Sequence, residues 1–161
     1  MSVRRLVLPL LVCLVASLAT AAPAAAHRGH PSPPAHARCV PVAATGAGQD
    51  LGGGQTTATI SVGGVEVGTT AAAFTITGVD GTVASFTGPI VFTGLGGTLT
   101  AQVTGTLDVT TGVFTSTSTS VAGTGLLRHV TGDLTFTGTE DLATGAFTES
   151  ISGHLCLARA H

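Results

Sequence analysis

Residues 105–115, GTLDVTTGVFT, return at residues 138–148 as GTEDLATGAFT, matched at Gly, Thr, Asp, Thr-Gly and Phe-Thr with an offset of 33. Each copy sets Thr-Gly between two short β-branched stretches. A type I turn followed by glycine in the left-handed region makes a tight hairpin with a bulge, so the repeated unit reads as a β-hairpin. Two such hairpins in series, with the strands before them, give about eight antiparallel strands. The fold class that follows is all-β, a small closed antiparallel β-barrel of the up-and-down kind, because closure removes the exposed edges that a Thr-rich chain would otherwise offer to its neighbours.

The faces of the strands agree with that reading. From about Thr56 onward short β-branched runs alternate with glycine signals. Ala58, Ile60 and Val62 fall on one side of their strand, as do Phe86, Ile90 and Phe92, then Leu99, Ala101, Val103, Leu107 and Val109. Leu134 pairs with Phe136, and Phe147, Ile151, Leu155 and Leu157 share a side. Each strand has one apolar and one Thr-rich side, a pattern of period two. The apolar sides must meet in the lumen, and Phe92, Phe136, Phe147 and Ile151 are expected to line it.

The N-terminus carries a different signal. Arg4 and Arg5 precede the apolar run Leu6 to Leu18, and Ala24-Ala25-Ala26 supplies the small residues a signal peptidase accepts, so residues 1–26 read as a signal peptide. The run is shorter than the roughly 20 residues a membrane helix needs, and no membrane span is expected. Residues 27–45 begin HRGHPSPPAHAR, rich in Pro and His without apolar periodicity, and read as a flexible arm, with the barrel domain over 46–161. The expected localisation is secreted, and a Gly, Ala, Thr and Val bias with Arg as the sole strong base fits a GC-rich bacterial source. After cleavage Cys39 and Cys156 remain, with one pairing open to them, a disulfide. The alternatives are two free thiols or a metal pair, for which no further Cys or neighbouring His completes a ligand spacing.

Charge limits the partners. Beyond residue 26 four arginines face eight carboxylates, a net charge of −4 with His neutral, which argues against nucleic acid or an anionic membrane surface. The chain has no Gly-x-Ser-x-Gly, no His-Glu-x-x-His and no phosphate-cradling loop. Asp80 sits in a turn, and Asp108 and Asp133 are out of phase with their apolar neighbours. Two glutamates differ. Glu149 shares the parity of Phe147 and Ile151, and Glu66 shares that of Phe74 and Ile76 provided no bulge intervenes near Gly68. A carboxyl among aromatics in a lumen titrates nearer neutrality and can act as acid or base, so Glu149 and Glu66 are the candidate catalytic residues. His154 reads as a surface residue. His27, His30 and His36 lie in the arm, where an N-terminal His offers copper chemistry that nothing else on a rigid sheet completes, so neither metal nor cofactor is expected.

Residues 123–138, GTGLLRHVTGDLTFTG, resemble the Gly-x-Gly-x-apolar signature, with its later glycine and alternating strand, of the allene oxide cyclase and dirigent-like barrel superfamily. The resemblance runs over roughly residues 85 to 157. It implies an eight-stranded barrel with a largely apolar cavity, activity as a cyclase or as a steering protein for small apolar molecules, and assembly as a dimer or trimer. The chain departs from the pattern at Arg128, His129 and Val130, where small residues are usual, and Arg128-His129 reads as a solvent-facing pair in the turn that starts a strand. The leading function is a secreted barrel that binds a small apolar ligand in its lumen, with isomerase or cyclase activity through Glu149 or Glu66. The alternative is a non-catalytic extracellular or cell-envelope structural protein.

Overall fold

The computed structural model describes residues 38–94 and 96–157. The expected signal peptide and the arm up to residue 37, with His27, His30 and His36, lie outside them. Nine strands follow in chain order: β1 Arg38–Gly52, β2 Gln55–Val62, β3 Val65–Ala73, β4 Thr75–Asp80, β5 Val83–Gly94, β6 Gly97–Asp108, β7 Val113–Gly123, β8 Val130–Glu140 and β9 Ala146–Leu157. Each pairs antiparallel with the next, except that β3 and β4 both pair with β5, and β9 returns to β1. The result is a closed eight-stranded up-and-down barrel in which β4 continues β3 past Phe74.

The repeated hairpins form as their sequence demands. In each, the aspartate carboxylate accepts from backbone N–H groups ahead of it: Asp108 from Thr110 (2.8 Å) and Thr111 (3.1 Å), Asp141 from Ala143 (2.9 Å) and Thr144 (3.2 Å). These bonds, with the Thr110 hydroxyl, hold Asp108 down at about 2, below its ordinary 3.8, and Asp141 is lowered for the same reason. Gly112 and Gly145 then turn the chain with φ of 72° and 73°, where a Cβ would be strained.

Three differences from the sequence reading have physical causes. Residues 38–45 belong to β1 and not to a flexible arm; they ladder onto β9 from Arg38↔Leu157 to Thr45↔Ser150. This stretch pairs with β2 only from Thr45, so Pro41 sits where its missing donor is tolerated, and small residues gave it no apolar alternation to read. On β3 the register jumps from Ile60↔Gly68 to Ser61↔Glu66, a bulge that leaves Val67 unpaired and reverses the parity beyond it. Val62 and Val109 are exposed, because both stand at hairpin ends past the packed interior.

Cys39 and Cys156 are register partners on β1 and β9 and form a disulfide that closes the barrel seam over a separation of 117 residues. At that end the lumen is filled by Ile60, Leu99, Ala101, Val103, Val130, Leu134, Phe136 and Ile151, with Leu127 of the 3-10 turn Gly125–Leu127 packed against them. The other end, where the β1–β2, β4–β5, β6–β7 and β8–β9 turns lie, is not filled.

Candidate binding cavity

The unfilled end holds a cavity of about 240 Å³. Its wall is mainly apolar, with Phe74, Phe86, Phe114, Phe136 and Phe147 as the largest groups. Phe74 and Phe86 lie 4.9 Å apart, and Phe114 meets Phe147 edge to face at 6.0 Å. These rings fit inside a narrow barrel because glycines stand across from them. Phe147 pairs with Gly48, Phe114 with Gly138 and Phe86 with Gly105, and a Cβ at any of the three would overlap the ring.

Glu149 follows the same construction. It is flanked by Gly46 on β1 and Gly138 on β8, and a Cβ at Gly46 would come within 2.6 Å of its Oε1. The carboxyl therefore lies over bare backbone and borders the cavity. Burial alone pushes it from 4.5 up to about 7; no hydrogen bond and no charge among the described residues contributes. Nearer the mouth on the inward side stand Glu140 on β8, level with Phe147, and Asp50 on β1, two residues beyond Gly48, on either side of the Phe147 strand. Glu140 is also raised, first by burial and then by the neighbouring Asp50 carboxylate. Asp50 Oδ1 accepts from the Gly52 N–H at 2.8 Å.

The residues expected to line the lumen divide. Phe136, Phe147 and Glu149 border the cavity. Ile151 is buried in the filled end and Phe92 packs against it, so neither reaches the open space. Glu66 is exposed on the far side of the β3 bulge, and Val67 takes the inward place. Arg128, His129 and His154 are exposed, and His129 alone among the described non-glycine residues has positive φ, at 64°.

Asp50, Glu140, Phe74 and Phe114 went unread as a site. The repeat carries the missing signal. Aligned copy on copy, Glu140 takes the place of Leu107, Phe147 that of Phe114 and Glu149 that of Ser116, and all six border the cavity. The second hairpin is the first one with two carboxylates substituted into its inward face. Asp50 carries no such signal, because it ends a strand with no alternation of its own.

The architecture is that of a dirigent-like β-barrel. A solved structure described as that of the pterocarpan synthase dirigent protein PsPTS1 superposes on the chain with a TM-score of 0.51 at 13% identity, covering 76% of this chain and 97% of that one. At that identity the likeness is one of fold. No protein-family model matches the chain, and no curated protein matches it. No described helix is long and apolar enough to cross a membrane.

Proposed function

We propose that this protein binds a small, largely apolar molecule in the open half of its barrel and that Glu149 serves as acid and base toward it. The observation that carries the reading is a single carboxyl titrating near 7 on the wall of an aromatic cavity of about 240 Å³. A group half-protonated near neutrality can both donate and accept a proton, which suits a proton-shifting isomerisation or a cyclisation begun by protonation, reactions that conserve atoms and need no co-substrate. A disulfide at the barrel seam fits an exported protein in an oxidising compartment. Glu66, exposed and remote from the cavity, has no part in this reading.

The neutral fluorophore N-phenyl-1-naphthylamine tests occupancy. Saturable enhancement is expected with the wild type and with Thr69→Trp, whose residue is exposed on the outer face, and loss is expected with Ala72→Trp, which fills the lumen. Equal binding by Ala72→Trp, or none by the wild type, overturns the lumen site. Native mass spectrometry of the protein from its own host then identifies the bound molecule and the oligomeric state. Turnover of that molecule should fall about a hundredfold or more in Glu149→Gln, and unchanged turnover removes Glu149 from the chemistry.

A further inference from the structure

Charge is divided along the barrel axis. Asp50, Asp80, Asp108, Glu140 and Asp141 lie in or beside the turns at the mouth, with Glu149 below them. The described basic residues, Arg38, Arg128, His129 and His154, belong to the other half of the barrel, where Glu66 and Asp133 balance the two arginines, so the net negative charge sits at the mouth. Such a division focuses a negative potential at the cavity entrance, drawing cations in and turning anions away. Inside, the lining contains acids and neutral residues and, among the described residues, no base.

The inward positions stack in order of depth. Asp50 stands outermost, Phe147 over Gly48 comes next with Glu140 beside it, and Glu149 over Gly46 is third. Two residues along a strand span about 7 Å, so one such step separates Glu140 from the row of the deeper carboxyl and two separate Asp50 from it. Glu140 is raised by burial and then by the Asp50 carboxylate beside it. A cation between them would relieve that repulsion. The aromatic layer beneath suits an organic cation, whose charge the ring faces also attract. A bare divalent ion is poorly served, since among the described residues no three His, Cys, Asp or Glu side chains converge as a metal site.

We propose that the molecule this lumen takes is an aromatic or polycyclic amine, its ammonium between Asp50 and Glu140 and its apolar body directed past Phe147 toward Glu149. The inference rests on the lumen being a binding site and adds to it the class of ligand. The position at which Glu149 can exchange a proton then lies between one and two such steps below the ammonium.

Three probes of one shape separate the two readings: 1-naphthylmethylammonium, 1-naphthalenemethanol and 1-naphthoate, titrated calorimetrically at about pH 8, where the amine is protonated. The amine should bind about tenfold tighter than the alcohol, the naphthoate should not bind, and the amine's advantage should shrink several-fold between low salt and about 0.5 M salt. In the Asp50→Asn/Glu140→Gln double variant, both substitutions keeping shape and acceptors, the amine should fall to the affinity of the alcohol while the alcohol is unchanged. An alcohol that binds as well as the amine, an advantage insensitive to salt, or a double variant that keeps the preference overturns the amine and leaves the lumen site standing. Failure of all three probes overturns both. The wild-type comparison and its salt dependence decide the matter even where the double variant does not fold.

Discussion

A carboxyl placed over a glycine and facing an aromatic cavity is a source of instability as well as of chemistry. Glu149 titrates at about 7 in the folded protein against 4.5 ordinarily, so between those values the folded state holds more protons than the unfolded one. Stability must therefore fall as pH rises from about 4.5 through about 7 and level off above it, by roughly 2–3 kcal/mol for a shift of this size. Glu149→Gln should lack this contribution. Urea titrations of both forms at pH values below and above the window should show the wild type losing that much relative to the variant; parallel losses would mean the carboxyl is solvated. Glu140 shifts in the same direction and accounts for any decline that persists in Glu149→Gln. Asp108 and Asp141, lowered by their turn hydrogen bonds, act below pH 4, outside this window.

Among the strands, β4 stands apart. It pairs with β5 alone, and every one of its six residues is exposed. Beyond the bond from the Phe74 N–H to the Gly54 carbonyl (2.7 Å), nothing among the described residues pairs its outer edge. The slot between β4 and the β1–β2 turn opens beside Asp50, Phe74 and Ile76, residues of the cavity wall. Amide exchange should be at least about tenfold faster in Thr75–Asp80 than in β6, which is paired on both sides, and equal protection would show the slot closed. The strands differ as much in how far the sequence discloses them. Hairpins 105–115 and 138–148 were legible from Asp, Gly and Phe at a fixed offset, and so were the faces of β5, β6, β8 and β9, whose apolar residues alternate with Thr. β1 was hidden by its alanines, glycines and Pro41, which pack without a hydrophobic period, and Asp50 was hidden with it. Glu66 was misplaced because a bulge depends on the partner strand, and no single stretch of chain records it. Glu149 was legible because its parity with Phe147 is unbroken.

For the molecule as a whole, the lumen is filled at one end and open at the other, and the seam is locked at the filled end. The Cys39–Cys156 bridge spans 117 residues, nearly the whole barrel, and in the chain-entropy model is worth about 4–5 kcal/mol. Replacing both cysteines with serine should lower the melting temperature by about 10–20 °C in calorimetry. A loss of only a degree or two would show that the twelve-residue β1–β9 ladder closes the barrel unaided. The same seam has a consequence for handling and display. β1 begins and β9 finishes as paired neighbours at the end remote from the cavity. A tether or fusion partner joined directly before Arg38 or directly after Leu157 attaches behind the barrel, so the protein can be fixed to a bead or a cell surface at either strand end with its entrance turned toward the solution.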